Sequence, residues 1–188
     1  MNASQRWLVL ALLYSILSFG SAPVYADQTD PRLDNLFDQL QTSPDPESAH
    51  RFENMIWAVW LQHNDPAVEQ WMEQGVSAMG QGDFAGAIEK FNQIIARDAE
   101  FAEGWNKRAT AYYLQNNLAA SIRDVQRTLA LEPRHFGALA GLGLIFTETG
   151  DLQAAIDAYQ EVLRIHPQSI GAHVNLEQLQ QAFREKII

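Results

Sequence analysis

Small and bulky apolar residues recur at a regular interval of about 34 residues through the middle of the chain. Each row keeps its character along the chain, with bulky, small or aromatic side chains at equivalent positions. A constant period of about 20–50 residues is typical of stacked-repeat architectures. The rows are Trp71, Trp105 and Leu139; Gly75, Ala109 and Gly143; Ala78, Tyr112 and Phe146; Ile88, Ile122 and Ile156; and Phe91, Val125 and Tyr159.

Within each unit the apolar residues are spaced three or four apart on both sides of a turn, and this spacing predicts two amphipathic helices. The turns are marked by Gly82-Asp83, Asn116-Asn117 and Gly150-Asp151. The sequence has no strand pattern, so we predict an all-α fold. A single helical hairpin cannot bury its apolar face alone, so the units must stack.

The segments on either side of the repeats also have helical patterns. Leu33 to Leu40 and Ala49 to Trp60 each carry an apolar stripe, which predicts a helical hairpin that covers the exposed end of the stack. Two interpretations are open for the large side chains of the second helix, Trp57, Trp60 and Met55. They pack on the first repeat, which we favour, or they form a self-association patch. After the repeats, residues 169–186 predict one amphipathic helix that ends the stack.

These rows resemble the tetratricopeptide repeat family, whose pattern of Trp, Leu-Gly, Tyr, Ala, Phe and Pro matches residues 68–167 as three units. The third unit fits best, whereas the first departs at Gln74, Ala78 and Ala99. The resemblance implies a right-handed superhelical solenoid of helix-turn-helix repeats, with the N-terminal hairpin and the C-terminal helix as caps. The predicted divisions are a signal peptide at 1–26, the hairpin cap at 27–65, repeats at about 66–101, 102–135 and 136–167, and the capping helix at 168–188.

The resemblance also implies a binding surface, because the first helix of each unit lines a concave groove in this family. The groove is predicted to be acidic and polar at its N-terminal end and small and apolar near the third repeat, which suits a segment carrying Lys or Arg beside an apolar anchor. Relatives that clamp acidic chaperone tails use Lys, Arg and Asn in these rows, and only Asn106 and Lys107 match. The predicted groove residues are Glu69, Met72, Glu73, Val76, Glu103, Asn106, Lys107, Thr110, Tyr113, Leu144, Glu148, Asn175 and Gln178.

One charged residue occupies a position that is normally apolar in the core of the second unit. Arg108 lies at this position, and Asp124 follows on the facing helix of the same unit. A buried Arg is normally paired, so we predict a structural ion pair between the two side chains rather than a catalytic role.

The N-terminal segment, residues 1–26, predicts an export signal. An apolar run from Trp7 to Phe19 follows Arg6, and Val24-Tyr25-Ala26 has the spacing of a signal peptidase site. We expect cleavage between Ala26 and Asp27 and a periplasmic location, with a retained N-terminal anchor as the alternative. The chain has no cysteine and a net charge of −10, which disfavours disulfides, thiolate chemistry and binding to nucleic acid or anionic lipid.

The sequence contains no residue pattern that favours a catalytic site. The five histidines have no metal-ligand spacing and are predicted to lie on the surface, and no phosphate-binding loop or nucleophile signature is present. We therefore expect no enzyme activity, no cofactor and no metal site. Two functional hypotheses follow: a periplasmic adaptor that binds a protein or peptide segment in the groove, or a structural protein that homo-oligomerises through the aromatic N-terminal hairpin without a separate ligand.

Overall fold

The computed structural model describes residues 27–187, with side chains up to Glu185. The predicted signal peptide and its cleavage site at Ala26 therefore lie outside the described residues, apart from Asp27. Residues 27–187 form α-helices joined by short turns and contain no strand. The helices are α1 (Arg32–Gln41), α2 (Pro46–Trp60), α3 (Pro66–Gly80), α4 (Phe84–Arg97), α5 (Ala102–Leu114), α6 (Leu118–Leu131), α7 (Phe136–Thr149), α8 (Leu152–Ile165) and α9 (Ile170–Ile187).

The helix ends follow from local chemistry. The Asp45 and Asp83 side chains accept hydrogen bonds from the backbone N–H groups of Ser48 and Gly86, which caps the N-termini of α2 and α4. The turn inside each repeat contains one residue with positive φ: Gly82 at 78°, Asn116 at 60° and Gly150 at 78°. Gly and Asn adopt this conformation at low cost, so the three equivalent turns reverse the chain in the same way.

Close helix contacts hold each repeat together. A Cβ atom at Gly75 would lie 2.5 Å from the Phe91 ring, and one at Gly143 would lie 2.7 Å from the Tyr159 ring. The small residue is therefore required where the aromatic ring of the second helix packs against the first. Successive pairs α3–α4, α5–α6 and α7–α8 stack in order, and α9 packs on α8. This arrangement confirms the predicted all-α superhelix of stacked helical hairpins.

The N-terminal hairpin (α1 and α2) lies along the three turns that follow the second helix of each repeat, which are residues 98–101, 132–135 and 166–169. Each turn receives its own contacts from the hairpin or from the residues beside it. The contacts are His63 to Asp98 at 3.1 Å and Gln28 to the Ala102 N–H at 3.1 Å; Asp34 to Arg134 at 2.8 Å; and Glu53 to His166 at 3.6 Å, Ser43 to Gln168 at 3.3 Å and Gln41 to the Arg164 carbonyl at 3.0 Å.

Aromatic rings fix the hairpin against the third repeat. Trp60, 1% exposed, stacks on His135 with ring centroids 4.1 Å apart and an interplanar angle of 8°. Trp57 meets the Phe136 ring edge to face at 5.5 Å, and Phe37 lies 6.5 Å from the same ring. The predicted packing of Trp57 and Trp60 on the first repeat is wrong, because the hairpin runs across the turns and brings both indoles to the start of α7.

The self-association hypothesis was based on the same aromatic residues. Trp60 is buried and Trp57 is half-buried within the chain, and Met55, which is 51% exposed, is the member of the set that faces solvent. Truncating a buried Trp costs about 3–5 kcal/mol. The two indoles therefore stabilise the docked hairpin rather than forming an exposed aromatic patch.

Candidate binding site

The first helices of the repeats, α3, α5 and α7, together with α9, carry the predicted groove residues on their inner rows. The structure divides these residues by exposure. Those exposed are Glu69, Glu73, Val76, Thr110, Leu144, Glu148 and Gln178; those half-buried are Lys107, Tyr113 and Asn175; and those buried are Met72, Glu103 and Asn106.

A buried polar cluster lies where the hairpin covers the start of α5. Glu103, 1% exposed, has one carboxylate oxygen 2.9 Å from His135 Nε2 and 3.0 Å from Asn106 Nδ2. Its other oxygen is 2.9 Å from the Lys107 ammonium, as an ion pair rather than an aligned hydrogen bond. The prediction that Glu103 lines an accessible groove is therefore corrected, because Glu103 is buried and its carboxylate contacts Lys107, His135 and Asn106 of the same chain. Met72 is also buried, within the core of the first repeat.

The protonation of this cluster follows from its geometry. His135 Nδ1 accepts the Ala138 backbone N–H at 3.1 Å and caps α7, so a neutral ring carries its proton on Nε2 and donates it to Glu103. Burial opposes ionisation of Glu103, but Lys107 and His135 outweigh it and hold the pKa of this carboxyl below its usual value.

Trp57 closes one end of the groove. The Lys107 ammonium lies 5.2 Å from the centroid of its ring, a cation–π distance. A Cβ atom at Gly137 would lie 2.7 Å from the far edge of the same ring. Helix α2 thus occupies the concave surface at the start of α5 and α7, and the open part of the groove begins beyond Trp57.

The open part contains a cleft between α5 and α7, the α5–α7 cleft, with a volume of about 180 Å³. Small side chains on both helices and two glycines of α7 create the space, and Val125 and Ser121 of α6 form part of its wall. An apolar cavity of about 150 Å³ holds a benzene molecule, so this cleft has room for one medium-sized apolar side chain. The cleft is lined by Asn106, Ala109, Thr110, Tyr113, Ser121, Val125, Gly137, Ala138, Ala140, Gly141, Leu144 and Ile145.

The rim of the cleft combines an apolar side chain with hydrogen-bond acceptors. Leu144 is 42% exposed on the concave side, beside the opening of the cleft. One N–H of the Asn106 amide donates to Glu103, and the amide oxygen of Asn106 is an acceptor at the cleft. The Thr110 hydroxyl donates to the Asn106 carbonyl at 3.0 Å. Partial burial and the neighbouring Glu148 carboxylate raise the pKa of Tyr113.

Arg108 and Asp124 lie away from the cleft, between α5 and α6. Arg108 donates two hydrogen bonds to the Asp124 carboxylate, at 2.7 and 2.8 Å, and a third to Asn92 at 2.6 Å. The Arg108 guanidinium also lies 4.9 Å from the centroid of the Trp105 ring. The pair is thus bidentate and structural, and it reaches no surface of the groove.

Three of the five histidines differ from their predicted surface positions, whereas His50 and His173 are exposed as predicted. His135 and His166 are buried, because each lies in a turn that the hairpin covers. His63 is also partly enclosed and pairs with Asp98 at 3.1 Å. Among residues 27–187 no group of three or more His, Cys, Asp or Glu side chains is arranged to hold a metal ion. Nor does any helix of that range have the length and apolar character needed to cross a membrane.

Comparison with known proteins agrees with this geometry. The sequence pattern of the tetratricopeptide repeat matches residues 72–127 and 115–170. A TPR repeat-containing protein of Rhizobium etli is 33% identical over 136 residues, which cover 72% of this chain and 67% of that protein. The chain belongs to the tetratricopeptide repeat family. Members of this family are generally non-catalytic interaction modules. Other curated relatives are matched over less than half of their own length.

Solved tetratricopeptide repeat structures have the same fold. MamA is 26% identical with a TM-score of 0.58, and the alignment covers 78% of this chain and 83% of that one. The first repeat domain of RPAP3, bound to the HSP90 peptide SRMEEVD, is 23% identical with a TM-score of 0.60 over 63% of this chain and 94% of the other. At that identity the second likeness concerns the fold alone.

The site of this tetratricopeptide repeat protein includes residues that the sequence prediction missed. Trp57 and Gly137 form the closed end of the groove, and Gly141 creates space in the cleft. Two signals in the sequence pointed to them. Trp57 lies off the apolar stripe of α2, and the third repeat has glycine where earlier repeats have Glu and Lys. At Gly137 the missing side chain allows the Trp57 ring to approach closely, whereas Gly141 borders open space.

Proposed function

We propose that this protein is a non-catalytic adaptor of the bacterial periplasm, which binds a segment of a partner protein in the α5–α7 cleft. The observation that carries the proposal is the cleft itself: an apolar space of about 180 Å³ that opens on the concave face beside the exposed Leu144. Apolar pockets with a few polar groups at the rim are the usual form of a ligand site.

The location within the groove follows from the N-terminal hairpin. Helix α2 covers the start of α5 and α7, so a partner segment has access to the second half of these helices. The periplasmic location is supported by the export pattern of residues 1–26. The acidic net charge of −10 favours a partner that is neutral or basic where it binds.

Co-purification with two matched variants tests the adaptor proposal. A Cβ atom at Gly141 or at Gly80 would meet nothing within 4 Å, so both positions accept a larger residue. Gly141→Leu fills the cleft, whereas Gly80→Leu adds the same side chain at the end of α3. A partner from the envelope fraction that is retained by the wild type and Gly80→Leu, and lost with Gly141→Leu, supports the proposal. Equal retention by all three forms contradicts it.

Homo-oligomerisation remains the second candidate, on a different surface from the one first expected. Met55 and Leu61 are exposed on the outer side of the hairpin, at 51% and 38%, beside a surface groove lined by Leu36 and Val59. Light scattering on the mature protein separates the two functions. A dimer that Met55→Asp converts to a monomer supports the oligomer, and a monomer at all concentrations eliminates it.

A further inference from the structure

Glu148 is a carboxylate placed one helical turn beyond Leu144, at the rim of the α5–α7 cleft. Residues four apart lie on the same face of a helix, so Glu148 and the exposed Leu144 point to the same side of α7. Glu148 is exposed, and among residues 27–185, whose side chains the structure describes, it forms no ion pair with a Lys, Arg or His side chain. It interacts with the Tyr113 hydroxyl at the cleft rim.

The position of Glu148 makes the site attractive to a cation. Helix α7 ends at Thr149, and a helix C-terminus carries a partial negative charge. A carboxylate in the last turn adds to this charge instead of compensating it. A ligand cation next to Glu148 would therefore interact favourably with both the carboxylate and the helix end.

The other polar groups of the cleft rim are also suited to a donor. The Asn106 amide oxygen and the Thr110 oxygen can accept hydrogen bonds, while one Asn106 N–H donates to Glu103 and the Thr110 hydroxyl donates to the Asn106 carbonyl. Lys107 is the cation of α5 nearest this region, and it is held by Glu103 at 2.9 Å and by the Trp57 ring. The rim thus offers acceptors and a carboxylate, and its Lys is already paired.

We infer that the α5–α7 cleft selects a basic apolar peptide segment, in which an aliphatic or aromatic side chain fills the cleft and a Lys or Arg about one helical turn away pairs with Glu148. This inference rests on the proposed function and specifies its ligand. It also gives the protein the opposite charge preference to a repeat domain that binds an acidic peptide such as SRMEEVD.

Selection from a random dodecapeptide library displayed on phage tests the inference on the chain without residues 1–26. Selected peptides are expected to share an apolar residue with Lys or Arg three or four positions away. A synthetic peptide with this motif should bind about two- to fivefold more weakly to Glu148→Gln, the range typical of an exposed ion pair. Glu89→Gln, an exposed carboxylate on α4, is the matched control and should bind as the wild type does.

A double-mutant cycle makes the pairing specific. Replacing the basic residue of the peptide with citrulline, or with norleucine where the residue is Lys, should weaken binding to the wild type and leave binding to Glu148→Gln unchanged. If the peptide substitution weakens binding to Glu148→Gln as much as it weakens binding to the wild type, the two losses are additive and the pairing with Glu148 is overturned. Selected peptides that lose binding to Gly141→Leu but show no basic preference overturn the charge inference alone. Peptides that bind Gly141→Leu as well as the wild type overturn the proposed function as well.

Discussion

The glycines at 137 and 141 provide a matched pair of substitutions on α7, one helical turn apart. A Cβ atom at Gly141 would meet nothing within 4 Å, whereas one at Gly137 would lie 2.7 and 2.8 Å from two atoms of the Trp57 ring. Replacing a helical Gly by Ala stabilises a helix by about 1 kcal/mol where space allows. We therefore expect Gly141→Ala to raise the free energy of unfolding by about 1 kcal/mol.

Gly137→Ala should gain the same helix stabilisation, but the added methyl group forces the Trp57 ring to move. The ring cannot move freely, because Trp60, Phe136 and Lys107 pack around it. Overpacking of this kind costs about 1–3 kcal/mol. The net change should thus be between about zero and 2 kcal/mol of destabilisation, and Gly137→Ala should be about 1–3 kcal/mol less stable than Gly141→Ala.

Urea unfolding followed by tryptophan fluorescence measures both variants against the wild type. Amide hydrogen exchange should also show faster exchange in α2 for Gly137→Ala than for Gly141→Ala, because the hairpin loses its fit to α7. Equal stabilisation by the two substitutions, with unchanged exchange in α2, would refute the docking of Trp57 on α7.

Four further predictions follow from the structure. Arg108→Leu and Asp124→Leu should each destabilise by about 3–5 kcal/mol in urea unfolding, and the double variant should recover much of the loss; a double variant less stable than both single variants would contradict this. Because the pKa of Glu103 is lowered on folding, its contribution is present above its usual value of 4.5 and is lost as pH falls through the lower folded value. Unfolding free energy should therefore fall less between pH 7 and about pH 4 in Glu103→Gln than in the wild type. Fluorescence anisotropy should detect no saturable binding of SRMEEVD, since Lys107 is paired. N-terminal sequencing of the protein purified from a bacterial periplasm should begin at Asp27, and a start at Met1 would contradict cleavage.

The repeat stack could be predicted from the sequence because its contacts are local and periodic. Gly143 and Tyr159 belong to one hairpin, and the same pairing recurs at Gly75 and Phe91. The same pairing of a small residue with an aromatic ring in more than one unit therefore predicts the same packing in each of them. The ion pair between Arg108 and Asp124 could also be predicted, because it joins two helices of a single repeat, but its bidentate geometry came from the structure.

The placement of the hairpin could not be predicted in this way. Trp60 stacks on His135, which lies two repeats further along the chain, and this contact occurs once rather than in every unit. The amphipathic stripe of α2 shows that the helix needs an apolar partner but does not specify which surface supplies it. The burial of Glu103, Asn106 and His135 depends on that placement, so the accessible part of the groove could be defined only from the structure.

The central claim is that the α5–α7 cleft is the working surface of the protein. It is tested most directly by photo-crosslinking in cells, with a benzophenone amino acid at Leu144 on the cleft rim or at Met55 on the outer side of the hairpin. We expect one envelope protein to be captured from Leu144, not from Met55, and the crosslink to disappear when Gly141→Leu is added. Capture of no partner from Leu144, together with self-crosslinking from Met55, would contradict the adaptor function and favour the oligomer.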